Sequence, residues 1–162
     1  MKNLLKKKNV LIVKKYLLKV DTKIELIQLS VTARTAKEAA DSLKQKVGSI
    51  IKSLLFKTKD DKFYLCLVSG DKYISEKKLS KLTKKEIIKA SAEEVKNQTG
   101  YSIGGVPPIA HKKTPTKVFI DKNLNNFDII YAAAGHPYVI FATSFTQICK
   151  ITNAIESDIV KD

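Results

Sequence analysis

Ten residues in the second half of the chain, Thr99-Gly-Tyr-Ser-Ile-Gly-Gly-Val-Pro-Pro108, constrain what it can fold into more than any other stretch. They carry no charge, three glycines and two adjacent prolines, and they follow a segment with helical signals. Glycine has no Cβ, so the backbone there can approach a ligand closely or turn with positive φ. The prolines fix φ, donate no hydrogen bond and hold the preceding residue extended. The stretch therefore predicts a stiff, neutral loop that presents backbone amides. A surface linker in so lysine-rich a chain would carry Lys, Ser and Glu instead. A plainer reading stands beside this one. Gly100 is the glycine expected just past a helix C-terminus, and Gly104-Gly105 with the prolines make a tight turn.

Composition bounds the partners. The 162 residues suffice for one domain with a sizeable core, and a hydrophobic content of 44% belongs to a globular chain. A net charge of +14 favours an anionic partner, nucleic acid or an anionic membrane surface. Arg34 is the sole arginine, and such a lysine skew also arises from general composition. Lysine attracts phosphate as a point charge and lacks the bidentate base recognition of arginine. The expected contact is thus with a nucleic-acid backbone, with little sequence readout. Cys66 and Cys149 are far apart and lack Cys/His spacing, which argues against a zinc site and for reduced, buried thiols in the cytoplasm. The basic N-terminus is interrupted by Lys14 and Lys15 and does not read as a signal peptide. The weakly charged residues 129–149 are broken by Gly135-His136-Pro137, so they read as two strands and a turn, with no membrane span. Neither metal nor cofactor is expected.

Val10, Val13, Leu17 and Val20 have helical spacing. They predict an N-terminal helix over about residues 9–20 that faces the core in preference to a membrane surface. A strand follows over 24–29. Thr35-Ala-Lys-Glu38 matches a capping box, opening a helix ended by Gly48. Residues 50–56 and 62–68 read as a strand hairpin, 75–82 as a helix and 87–90 as a short strand. Ser91-Ala-Glu-Glu94 is a second capping box, whose helix stops at Gly100. Strands over 117–121, 128–134 and 138–142 precede a last helix starting at Ser144. With no repeat or linker, residues 1–162 make one α+β domain with a mixed, mostly antiparallel sheet.

Alternation along Ile50-Ile-Lys-Ser-Leu-Leu-Phe56 puts Lys52 on the same strand face as Ile50, Leu54 and Phe56. An ammonium held among apolar side chains needs an anion or a polar cavity. Otherwise it snorkels, stem on the core and head in water. Both readings stand on this pattern. No Ser/His/Asp arrangement, P-loop or dinucleotide fingerprint is present. An enzyme built on this chain would catalyse by positioning.

These motifs, in this order, resemble the YbaK/prolyl-tRNA synthetase-associated domain family. Residues 51–56 resemble its lysine-bearing strand, and Ser91-Ala-Glu-Glu-Val95 followed by residues 99–108 its glycine loop. Asp128-Ile-Ile-Tyr-Ala-Ala-Ala-Gly-His136 resembles its small-residue strand and turn, and Thr32-Ala-Arg-Thr-Ala36 the helix start of one branch. The likeness covers about residues 24–158. It implies a curled, barrel-like mixed sheet surrounded by helices, and trans-editing hydrolysis of mischarged aminoacyl-tRNA, with prolyl-tRNA synthetase as a further partner. The family's essential lysine maps onto Lys52. The substrate-binding candidates are Gly104, Gly105, Val106, Pro107 and Pro108 in the loop, and Ala133, Ala134, Gly135 and His136 in the turn. Some members carry a serine where Ala133 stands, so the resemblance does not extend to cysteine specificity. A non-catalytic tRNA-binding module of the same fold is the alternative, and a structural or peptide-binding domain with compositional charge is a third reading.

Overall fold

The computed structural model describes residues 2–162. Helix α1 (Lys8–Val20) buries Val10, Val13 and Leu17 completely or nearly so. Each such side chain is worth about 1.5–3 kcal/mol in apolar burial. The helix therefore faces the core, packing on strand β6 (Ile130–His136).

The remaining elements are β1 (Leu26–Gln28), α2 (Ala36–Leu43), β2 (Ile51–Lys57), β3 (Phe63–Ser69) and α3 (Glu76–Thr83). After them come β4 (Ile88–Lys89), α4 (Ala92–Thr99), β5 (Lys117–Asp121), β7 (Val139–Thr143), α5 (Phe145–Thr152) and β8 (Ile155–Ser157). The strands form two sheets. One is antiparallel in the order β1-β7-β6, the other mixed in the order β4-β2-β3-β5-β8. In the second, β2 pairs antiparallel with β3 and β4, while β3/β5 and β5/β8 are parallel. The expected mixed, mostly antiparallel sheet is thus divided in two, and a parallel bridge between Ile50 and Tyr131 joins the parts. Strand β8 had no clear sequence signal, because three residues with two of them exposed show no apolar alternation.

Two local expectations change. Thr35 caps α2 by accepting from the Glu38 N–H at 3.1 Å, but the return bond of a capping box is missing and Glu38 Oε2 is buried without a partner. The helix also ends earlier than Gly48. Lys44 adopts φ 54° and closes the last turn through its own N–H. Gly48 instead sits in a 3-10 turn where an added Cβ would lie 2.7 Å from the Phe127 ring, so space, not helix termination, requires glycine there.

The second capping box is complete: Ser91 and Glu94 exchange both bonds, and Gly100 ends α4 with φ 86°. Glu94 also pairs with Lys57, tying the helix before the glycine loop to the end of β2.

Candidate functional site

Strand β2 has one partner along its length and another only at its end. β3 runs beside it throughout, whereas β4 pairs with Phe56 and Lys57 alone. The Leu55 carbonyl accepts from Ala90 N–H at 3.0 Å. Alternation then points the backbone groups of Ser53 to the same edge, which β4 leaves open. At the opposite end the bridge between Ile50 and Tyr131 closes the gap. Between these two pairings lies a cavity of about 660 Å³, bordered by β2, β6, the start of α2 and the glycine loop. Its volume suits a small ligand.

Lys52 reaches this cavity from β2. Its Nζ donates to the Lys72 carbonyl and lies 4.8 Å from the centroid of the Tyr73 ring. Burial pulls its pKa below the ordinary lysine value. The Asp71 and Asp121 carboxylates oppose that shift, and Lys89 adds to it. The two readings of Lys52 thus meet: it is half-buried, and its head lies in a polar corner of an otherwise apolar cavity. Beside it Ser53 Oγ is buried with no hydrogen-bond partner and borders the same space.

The loop is closed at its base. Lys112 N–H donates to Thr99 O and Lys113 N–H to Gln98 O, each at 2.9 Å. The Tyr101 hydroxyl donates to Ala110 O at 2.8 Å, and burial pushes that phenol up to about 12. Within the loop Ile103, Gly104 and Val106 line the cavity. Gly105 turns its back on it: its N–H donates to Ser102 O and its carbonyl accepts from Gly135 N–H, both at 3.0 Å. Among the described residues no acceptor takes the Gly104 or Val106 amide. Those two are therefore among the loop amides left unpaired beside the cavity, and Gly105 is not.

Of the candidates read from the sequence, Lys52, Gly104, Val106 and Ala133 border the cavity. Gly105, Pro107, Pro108, Ala134, Gly135 and His136 stand behind that lining. Ala134 is wholly buried in the main core. Gly135 takes φ 91° inside a bulge of β6, where a Cβ would come within 2.8 Å of the Asn9 carbonyl oxygen. His136 Nδ1 accepts from the Tyr138 N–H at 3.1 Å. The Pro107 carbonyl accepts from His111 Nε2 at 2.6 Å. Pro108, with Ile109, borders a second cavity of about 390 Å³ on the far side of the loop.

The lining also includes residues that were not among those candidates, Arg34, Asp71 and Tyr73 among them. Arg34 had a signal, being the one arginine among many lysines. Its stem lies against Gly104, since an added Cβ there would sit 3.3 Å from Arg34 Cγ. Asp71 and Tyr73 belong to a turn whose sequence, Gly70-Asp-Lys-Tyr73, resembles any surface turn. Arg34, Lys37, Lys52 and Lys89 border the cavity together with the single carboxylate of Asp71, so its rim favours an anionic ligand. Cys66 is buried in the core, which pushes its thiol up to about 12. Among the described residues no group of three or more His, Cys, Asp or Glu converges on one point, and no helix is long and apolar enough to cross a membrane.

The chain is similar to known proteins in sequence and fold. The aminoacyl-tRNA editing domain model matches residues 31–151. The chain is 30% identical over 111 residues to YwhH, an uncharacterized protein of Bacillus subtilis (strain 168), over 68% of this chain and 70% of that one. It is 34% identical over 109 residues to the proline–tRNA ligase of Kosmotoga olearia, over 65% of this chain but only 18% of the ligase. A crystal structure of a proposed trans-editing enzyme for prolyl tRNA synthetase superposes with a TM-score of 0.90 at 30% identity, covering 96% of this chain and 99% of that one.

Proposed function

Because this chain belongs to the aminoacyl-tRNA editing domain family, we propose that it hydrolyses the ester of a mischarged aminoacyl-tRNA in trans, removing a small amino acid. The observation that carries this reading is the convergence on one cavity of Lys52, the small Ala133, and Gly104 and Val106, whose amides have no acceptor among the described residues. An aminoacyl ester needs its carbonyl polarised and the oxyanion of the tetrahedral intermediate stabilised. Backbone amides without a partner supply both. Water adds to the carbonyl carbon, the acyl–oxygen bond to the ribose breaks, and the ribose oxygen takes the proton. A neighbouring ribose hydroxyl can position the water, so no protein base is needed. The Lys52 ammonium holds the phosphate or ribose of the acceptor end. The remaining lysines give salt-dependent attraction to the tRNA backbone.

Selection in such a pocket works by exclusion, because a cavity rejects a side chain that is too large far better than it recognises a small apolar one. Ala133 offers room and no hydroxyl, which points to alanine or an ester of similar size in preference to cysteine. Transfer RNA for proline and partnership with prolyl-tRNA synthetase are supported by the likeness to a segment of proline–tRNA ligases. The test is a deacylation panel with alanyl-, cysteinyl-, seryl- and threonyl-tRNA for proline. Alanyl-tRNA should be hydrolysed at least as fast as cysteinyl-tRNA. A strong preference for cysteinyl-tRNA overturns the pocket assignment. No hydrolysis of any ester, with salt-sensitive tRNA binding retained, makes the chain a binding module.

A further inference from the structure

Among the described residues, the most exposed large apolar side chain stands at the mouth of the cavity. Tyr73 is 72% exposed, yet its ring borders the same space as Lys52, Gly104 and Ala133. A single exposed ring is ordinary on a protein surface; what distinguishes Tyr73 is its place beside Lys52 on the cavity lining.

Its backbone is fixed. The Tyr73 carbonyl accepts from Lys161 N–H at 2.9 Å, and Ser75 N–H donates to Ile159 O at 2.7 Å. Ile74 bridges Val160 between them, and Lys72 N–H closes the turn on Ser69 O at 2.9 Å. The Lys52 ammonium lies over the ring, 4.8 Å from its centroid, and the high exposure leaves most of the ring surface open. The result is a flat hydrophobic surface on a rigid strip, beside a cation and above a cavity.

We infer that Tyr73 is a stacking platform for the terminal adenine of the aminoacylated strand. The inference rests on the proposed deacylase reading and extends it. In any aminoacyl-tRNA the ester is carried by the ribose of the terminal adenosine. When the amino acid occupies the cavity, that ribose sits at its mouth and the adenine lies immediately outside, where the ring stands. Single-stranded nucleic-acid ends are held this way, by aromatic side chains under unstacked bases and cations along the backbone. Lys52 on the neighbouring ribose or phosphate and Tyr73 under the base divide one nucleotide between them. Tyr73 is a positioning residue, since it touches no reacting atom.

The probe is a short RNA ending in CCA with 2-aminopurine in place of the final adenine, whose fluorescence is quenched on stacking. Quenching is expected with the wild-type protein and with Tyr73→Phe, which keeps the ring. It should be lost with Tyr73→Leu, which keeps apolar cover over Lys52 but no flat face. In deacylation, Tyr73→Leu should raise KM by about 5- to 100-fold, with kcat within about threefold of wild type. Equal quenching by wild type and Tyr73→Leu, or none by wild type, overturns the platform. Hydrolysis without Tyr73-dependent quenching removes the platform and leaves the deacylase. Tyr73-dependent quenching without hydrolysis keeps the platform and removes the deacylase.

Discussion

Gly104 and Gly105 are adjacent, and their surroundings differ in kind. Gly104 faces the cavity with φ 97°, and the nearest obstacle to a side chain there is the flexible stem of Arg34. Gly105 lies against the core side of the loop, where an added Cβ would meet three backbone atoms of His136 at 3.0–3.1 Å. One glycine is required by backbone conformation and the other by lack of space. The distinction extends through the loop. Gly104 and Val106 serve the cavity, while Gly105, Pro107 and their partners Gly135 and His111 hold the loop on the body of the protein. Substitutions on the cavity side should therefore cost activity, and those on the core side should cost stability.

Lys52→Ala tests the cavity side most strongly. Loss of the ammonium should lower kcat/KM for deacylation by about 10²–10³, with the thermal midpoint close to wild type. Activity within a few-fold of wild type in the folded variant would remove Lys52 from the site. Gly104→Val should come next. A β-branched side chain at φ 97° strains the backbone by about 1–2 kcal/mol and displaces the presenting amide, so hydrolysis should fall well beyond the loss of folded protein. Full activity in Gly104→Val would sink the assignment of the loop.

Gly105→Ala should reverse that pattern. The new methyl meets backbone, which cannot swing aside, and overpacking of this kind costs about 1–3 kcal/mol. Its melting temperature should drop, while activity per folded molecule stays nearer to wild type than that of Gly104→Val. If the two variants lose activity and stability in the same proportion, the division of the loop is wrong.

The smallest effects are in pH. Burial pulls Lys52 below the ordinary lysine value, so its charge is lost at a lower pH than that of a surface lysine. Deacylation should decline on the alkaline side earlier than an ordinary lysine would allow, and Lys52→Arg, if active, should shift that limb upward. On the core side, burial lowers the pKa of His111 below 6.5. Its neutral ring donates to Pro107. As pH falls through 6.5, the unfolded chain takes up a proton that the folded chain resists, so His111 makes stability fall with pH until its folded pKa is passed. His111→Gln keeps a donor for Pro107 and should flatten that part of the stability curve. An unchanged acid limb would show that His111 does not contribute to it.

The sequence determined by itself whatever depends on neighbouring residues. The capping residues Thr35, Ser91 and Ser144, the αL glycine at 100, the apolar stripe of α1 and the alternation of β2 act over a few positions, and each is found where its local chemistry places it. The same is true of the place of Lys52 on β2 between apolar neighbours, although its head lies in a polar corner. The tertiary structure decided what depends on which strands meet. The cavity exists because β4 covers only the end of β2 and because Ile50 reaches Tyr131 across two sheets. Neither pairing has a short-range signature. Which glycine faces the cavity followed from the hydrogen bonds of Gly105 to Ser102 and Gly135, the second of them 30 positions away by the numbering. Arg34, Asp71 and Tyr73 join Lys52 from turns that look ordinary in one dimension. Long-range pairing selects among many locally acceptable arrangements, and it is decided by packing summed over the whole core.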